Sequence, residues 1–213
     1  ETHAVLSMLG VAFEQVDAEA ELTSSDLLVI GKRALTADGA GPDLSLVADG
    51  LRVIVMEQSA DVLEKRLGFR VQEYGLRQAF PRVPDHPVLR GLQEEHLRDW
   101  QGEATLVPPR REYTLDDVLG PTIVRSGIKV PRAWRVGNRG NVASVIIEKP
   151  AAGDFLSIVD GGFGLQYSAL LEYREGAGSI LFCQMDVTRR SARRGDVHDA
   201  AAETLLANLL AYT

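Results

Sequence analysis

The sequence predicts an α/β domain with three layers, in which helices cover both faces of a mostly parallel sheet. Two observations support this fold class. Short apolar runs at residues 27–30 and 142–147 are typical of strands that are buried on both faces. Segments with the apolar spacing of helices alternate with such runs through the first third of the chain. We expect a single domain over residues 1–213, with one antiparallel hairpin late in the chain.

The first 75 residues contain four candidate strands and three candidate helices. Gly10, Gly50 and Gly68 each follow a helical stripe of apolar residues, and glycine commonly ends helices because it tolerates left-handed backbone angles. Pro42 and Ser59 are residue types that favour the first turn of a helix. The expected order is helix 1–10, strand 12–16, strand 27–30, helix 42–50, strand 51–56, helix 59–68 and strand 69–74.

Residues 76–141 lack a regular pattern because seven prolines interrupt them. We expect a long excursion over one end of the sheet, with small elements at 88–92 and 104–107. A regular pattern returns afterwards. The expected elements are strands at 142–148, 155–159, 169–174 and 179–185, a tight turn at 175–178, and a final helix from Asp199 with one apolar face.

Composition excludes several classes of protein. The chain has 213 residues, 45% of them hydrophobic and 25% charged, which fits a globular domain. No apolar run approaches the roughly 18 residues of a membrane span. The formal net charge of -7 argues against a nucleic-acid partner. The chain begins with Glu1 rather than Met, so we expect a fragment of a longer polypeptide, and an exported parent is compatible with this composition.

A single cysteine, Cys183, rules out an internal disulfide. It stands in an apolar run, so we expect a small buried side chain rather than a nucleophile, which needs an exposed turn. The four histidines show no metal-ligand spacing. We therefore expect no metal, no cofactor and no evident catalytic residue.

Three carboxylates are candidates for acid, base or nucleophile: Glu57, Asp99 and Asp160, which follow candidate strands or lie near an aromatic loop. Trp100 and Trp134 are candidates for binding a sugar, since an aromatic ring can cover the apolar face of a pyranose. Packing onto the core explains each tryptophan equally well.

The runs 27–31, 51–58 and 172–186 together resemble the class I glutamine amidotransferase-like fold. They are most similar to the versions embedded in bacterial glycoside hydrolases of the family 2 or beta-galactosidase-like type. Residues 67–71 and 96–102 add to this likeness, which spans most of the chain. The resemblance implies a flavodoxin-like domain within a multidomain carbohydrate-degrading enzyme.

An active amidotransferase of this kind carries a cysteine flanked by glycines between a central strand and the next helix. The matching residues here are Met56, Glu57, Gln58 and Ser59, which include neither type. The resemblance therefore implies a fold that has lost its amide-hydrolysing site.

We thus predict a non-catalytic accessory module that packs against other domains of its parent or against a second copy of itself. Two alternatives stay open: a carbohydrate-active hydrolase that uses the loop carboxylates, and a sugar-binding module that uses the tryptophans.

Overall fold

The fold differs from the predicted class. The computed structural model describes residues 1–24, 26–109, 114–131, 137–191 and 197–212. Strands account for 33% and helices for only 20% of the chain, which is too little helix to cover both faces of a sheet. The expectation of a three-layer, flavodoxin-like domain is therefore wrong. The observed architecture is a mixed eight-stranded sheet accompanied by two small antiparallel sheets.

Helices are few and short in the described part of the chain. The α-helices are α1 (Thr2–Met8), α2 (Val187–Arg190) and α3 (Ala200–Ala211). Three 3₁₀ helices, at Ser45–Val47, Pro87–Leu89 and Glu94–His96, and a π-helix at Val62–Arg66 complete the helical structure.

Thirteen strands are described, and most of them follow residue 100. They are β1 (Leu27–Ile30), β2 (Arg52–Val55), β3 (Val71–Leu76), β4 (Phe80–Pro81), β5 (Trp100–Glu103), β6 (Thr114–Asp116), β7 (Gly120–Arg125), β8 (Ile128–Val130), β9 (Arg139–Gly140), β10 (Ala143–Glu148), β11 (Phe155–Gly161), β12 (Tyr167–Glu175) and β13 (Gly178–Cys183).

The large sheet is parallel at one side and antiparallel at the other. Its order is β1-β2-β13-β12-β10-β3, while β11 pairs with both β12 and β4. Only β1, β2 and β13 run parallel to one another; every other pairing in this sheet is antiparallel. The small sheets are β5-β9 and β6-β7-β8.

The wrong fold class has a physical cause, since an apolar run shows burial but not strand direction. The run in β10 is buried on both faces, yet β10 is antiparallel to β3 and β12.

Several individual elements were also predicted wrongly. Only one 3₁₀ turn is present within the predicted helix 42–50, and the predicted strand 12–16 and element 104–107 are irregular. The strands of the two small sheets were not predicted.

Other predicted elements are confirmed. The strand at 27–30 is β1, and the late hairpin is β12–β13, paired from Leu170 and Cys183 to Glu175 and Gly178. The final helix is α3, whose N-cap Asp199 accepts hydrogen bonds from Ala201 N and Ala202 N.

Two apolar clusters lie on opposite faces of the large sheet. Ile54 and Leu181 pack with Leu205 and Leu209 of α3 on one face. The other face holds Val53, Val55 and Phe182, the last of which meets the ring of Phe69 edge to face at 5.0 Å. In the described ranges, no helix has the length and apolar character to cross a membrane.

Candidate functional site

The three parallel strands end at the same edge of the large sheet, where ligands bind in open α/β sheets. Lys32, Glu57 and Asp186 follow the ends of β1, β2 and β13 respectively. The carboxylates of Glu57 and Asp186 are both buried. Charged groups from three distant segments thus meet at the position where this topology favours a site.

Lys32 holds the centre of this cluster. Its Nζ lies 3.0 Å from Asp186 Oδ1, 2.9 Å from Thr105 Oγ1 and 3.2 Å from Glu1 Oε2. Burial alone would lower the pKa of Lys32. The opposite charges of Asp186, Glu57 and Glu1 outweigh burial and raise that pKa above its ordinary value. The lysine is therefore held in its charged form.

Arg190 supplies a second buried cation. Its Nη1 lies 3.0 Å from Asp186 Oδ2. Since Oδ2 accepts no hydrogen bond from the described residues, this contact is an ion pair alone. The guanidinium also donates to the carbonyl oxygens of Gln101, Gly102 and Asn141. Burial lowers the pKa of Arg190, and the charge of Asp186 acts in the opposite direction. The arginine ties the excursion around β5 to the edge of the large sheet.

Glu57 is a fully buried carboxylate with a raised pKa. Thr188 donates to it twice, from its backbone N at 3.0 Å and from its Oγ1 at 2.7 Å. Burial, followed by repulsion from Asp186, raises the pKa of Glu57 to about 7, although Lys32 and Thr188 favour the charged form. A carboxyl group with such a pKa has the acidity of a general acid or base.

Two buried glutamines, Gln58 and Gln184, lie at the ends of the parallel strands. Gln58 Nε2 donates to the carbonyl oxygens of Gly31 at 2.8 Å and Met56 at 2.6 Å, and Gln58 N donates to Gln184 Oε1 at 3.0 Å. Both glutamine side chains are buried. These hydrogen bonds connect the ends of β1, β2 and β13. The two glutamine side chains are therefore not exposed to solvent.

The side chains of the cluster are buried among the described residues. Thr2 at the start of α1 lies beside it, and its Oγ1 accepts a hydrogen bond from Lys32 N at 2.9 Å. Two surface clefts of about 620 Å³ each are lined by other residues and contain none of Lys32, Glu57 and Asp186. The contacts of Lys32, Glu57 and Asp186 hold together the loops that follow β1, β2 and β13.

The other candidate carboxylates have separate partners. Asp99, in a left-handed conformation with φ 47°, pairs with Arg77 at 2.6 Å and Arg98 at 3.5 Å. Asp160 lies 2.7 Å from Lys149 Nζ and accepts a hydrogen bond from Ser157 Oγ at 2.7 Å. The fold thus places Glu57, Asp99 and Asp160 in three different sets of contacts and does not assemble them into one site.

The tryptophans and the cysteine have different environments. Trp100 is 2% exposed and donates from Nε1 to the carbonyl oxygen of His96 at 2.8 Å, so its ring packs in the core. Trp134 lies outside the described residues. Cys183 is fully buried, and this burial raises the pKa of its thiol far above the ordinary value. Within the described ranges, no group of three metal-ligating side chains is placed to hold an ion.

Sequence reasoning missed Lys32 and Thr188. The sequence could have indicated Lys32, because this lysine comes two residues after the predicted strand 27–30, just as Glu57 comes at the end of the predicted strand 51–56. Thr188 carried no such signal. Its role depends on the chain turning into α2 directly after Asp186, which the sequence does not indicate.

Comparison with known proteins gives a likeness of fold. No family model matches the chain, and no curated protein matches it. Among solved structures, the cytoplasmic protein STM3548 from Salmonella typhimurium is similar with a TM-score of 0.54 and 11% identity, over 99% of this chain and 85% of that one. At this identity the likeness concerns the fold alone. The resemblance to amidotransferase-like modules of glycoside hydrolases stays a prediction.

Proposed function

We propose that this chain is a non-catalytic binding module that associates with a second copy of itself through the small sheet β6–β8. The observation that supports this proposal is a contrast between two parts of the molecule. At the edge of the large sheet that is suited to chemistry, the side chains of Lys32, Asp186 and Glu57 are buried and held by one another. The small sheet, in contrast, exposes large apolar side chains to solvent.

The exposed side chains form what we call the hairpin patch. Val118 is 90% exposed and Leu115 is 71% exposed, and two further members lie in or beside the same strands. The register of β6, β7 and β8 places Leu115 and Ile128 on one face of the sheet and Val124 on the other. Of the eleven large hydrophobic residues exposed in the described part of the chain, four belong to this patch. An apolar concentration of this kind marks an interaction surface. The members are Leu115, Val118, Leu119 and Ile128.

Charge at the two ends of the hairpin patch favours a second copy as the occupant. Asp117 is exposed in the turn between β6 and β7, and Arg125 is exposed where β7 ends, at the opposite end of the sheet. A two-fold symmetric dimer brings the same surface of each chain together. With the two sheets antiparallel, Asp117 of each copy would face Arg125 of the other. The patch is thus complementary to itself in charge as well as in apolar character.

Sedimentation equilibrium tests this proposal, with the chain at concentrations up to about 1 mM. We expect a monomer–dimer equilibrium that Val118→Asp weakens by at least about tenfold, because a buried carboxylate would replace an apolar contact. Phe163→Asp is the control, since Phe163 is equally exposed but lies outside the hairpin patch. That control should dimerise as the parent sequence does.

Charge reversal distinguishes a second copy from any other partner. Asp117→Arg and Arg125→Asp should each weaken the dimer, and the double variant should restore it because both cross-contacts are reversed together. A monomer at every concentration would overturn the proposal. So would equal weakening by Phe163→Asp, or binding only to another domain of a longer parent chain. The parent's class, a glycoside hydrolase, stays a prediction that this experiment does not require.

A further inference from the structure

A polar cleft lies at the edge of the large sheet opposite the Glu57 cluster, where β2 and β13 begin. It has a volume of about 620 Å³, which is within the size range of small-molecule sites. Its walls come from the loop before β1, the turn before β2, the β12–β13 hairpin and the residue that follows α3. The lining residues are Ser24, Asp49, Gly50, Arg52, Ala177, Ser179 and Tyr212.

The cleft is built from closely packed turns. A Cβ atom at Gly178 would lie 2.3 Å from the carbonyl oxygens of both Val47 and Leu51. A Cβ atom at Gly176 would lie 2.1 Å from the carbonyl oxygen of Ala48, and Gly176 has φ 57°. The absence of side chains at these glycines lets the hairpin press against the turn before β2. The walls of the cleft are therefore fixed by backbone contact rather than by mobile side chains.

Arg52 is the cation of the cleft. It pairs in register with Ser179 of the neighbouring parallel strand, so the two side chains share one face of the sheet. The described residues offer its guanidinium neither a hydrogen bond nor an ion pair. Arg174 of β12 pairs with Ser179 from its other side. In contrast to Arg52, it donates a hydrogen bond to Glu172 at 2.7 Å. An unpaired guanidinium beside hydroxyl groups is suited to a carboxylate.

We propose that this cleft binds a small hydroxylated carboxylate, such as a sugar acid. Arg52 takes the carboxylate through two parallel N–H donors, while Ser24 and Ser179 donate or accept at its rim. Asp49, which is exposed and also lines the cleft, accepts from ligand hydroxyl groups. Tyr212 donates its hydroxyl to Glu172 Oε1 at 2.9 Å, which fixes the ring at the wall of the cleft. The ring then packs against the carbon skeleton of the ligand.

The arrangement of charges explains why a hydroxylated acid is favoured over a simple anion. Asp49 would repel an ion such as sulfate that carries negative charge on every side. It would stabilise a ligand whose charge lies at one end and whose hydroxyl donors lie at the other. This site is separate from the hairpin patch, so it stands whether or not the chain dimerises.

Titration of the ¹⁵N-labelled chain with glucuronate, followed by NMR, tests the proposal. We expect saturable shifts confined to residues that line the cleft, with weaker binding for glucose and for acetate, which each lack one of the two features. Arg52→Gln should weaken glucuronate binding by at least about tenfold, the equivalent of one charge-assisted hydrogen bond. Arg70→Gln is the control, because the Arg70 side chain is 85% exposed and lies in a different segment.

Ser179→Ala provides a second variant if Arg52→Gln disturbs folding. It removes one hydroxyl from the cleft and should weaken binding severalfold while leaving the rest of the spectrum unchanged. The proposal is overturned if glucuronate causes no saturable shift up to about 20 mM. It is equally overturned if Arg70→Gln weakens binding as much as Arg52→Gln, or if sulfate binds more tightly than glucuronate.

Discussion

Asp186 Oδ1 lies 3.0 Å from Lys32 Nζ, and the two residues are 154 positions apart in the sequence. Their side chains are only 2% and 3% exposed. The pair joins the loop after β1 to the segment after β13, at the edge where all three parallel strands end. Because both charges have lost their hydration, each depends on nearby opposite charges for compensation. Asp186 compensates Arg190 as well as Lys32.

Asp186→Asn should therefore destabilise the chain strongly. It leaves Lys32 and Arg190 buried without their shared carboxylate, which costs about 3 to 5 kcal/mol in comparable cases. The free energy of unfolding, measured by urea denaturation, checks this value. Asp61→Asn is the matched control, because Asp61 forms a 2.6 Å ion pair with Lys65 in which both side chains are more than half exposed. That control should lose less than about 1 kcal/mol, and equal losses in the two variants would refute the structural role of the buried pair.

Glu57 should make the stability of the chain depend on pH between about 4.5 and 7. Its pKa is raised in the folded state to about 7 from an ordinary value of 4.5, chiefly by burial. The folded state therefore binds the proton more tightly than the unfolded state. This contribution to stability is fully present below the unfolded pKa and is lost as pH rises to 7. The loss amounts to up to about 3 kcal/mol for a shift of this size.

Glu57→Gln isolates this contribution, because the amide keeps the shape but cannot ionise. Thr188 Oγ1 can reverse its hydrogen bond and accept from the new amide group. The free energy of unfolding of the variant, relative to the parent sequence, should rise between pH 4.5 and pH 8. Glu64→Gln, at an exposed position of the π-helix, should show no such trend. A constant difference between Glu57→Gln and the parent sequence across this range would contradict the prediction.

Local features of the fold were predictable where one short segment carries the whole signal. The turn at 175–178 and the N-cap at Asp199 depend only on nearby residues, and both are observed. Strand direction depends on the path of the chain between strands, which apolar patterning does not encode. β10 was therefore predicted as a strand correctly while the sheet around it was predicted wrongly.

The residues of the candidate site also divide into those visible in the sequence and those that depend on long-range contacts. Glu57 was visible as a carboxylate at a strand end, but its meeting with Asp186 and Lys32 requires three segments to converge. The burial of Arg190 was hidden as well, since arginine-rich loops are usually solvated. Side chains whose role depends on long-range contacts became apparent only from the structure.

Cys183 should be unreactive in the folded chain. Its side chain is fully buried, and burial raises the pKa of the thiol, so little thiolate forms. We expect a thiol reagent such as DTNB to modify it only as fast as the chain unfolds, with rapid reaction in concentrated urea. Reaction within seconds in native buffer would show that the strand end at β13 opens locally.

The packing of α3 gives the last prediction, since this helix covers one face of the large sheet. Leu205 and Leu209 are fully buried in the cluster that contains Ile54 and Leu181. Leu209→Ala should lower the free energy of unfolding by about 2 to 5 kcal/mol, because it leaves a cavity in the core. Alanine has a higher helix propensity than leucine, so any loss measures packing rather than helix formation. Ala207→Ser, at an exposed position of the same helix, should change stability by no more than about 0.5 kcal/mol. If both variants melted at the temperature of the parent sequence, α3 would not pack on the sheet in solution.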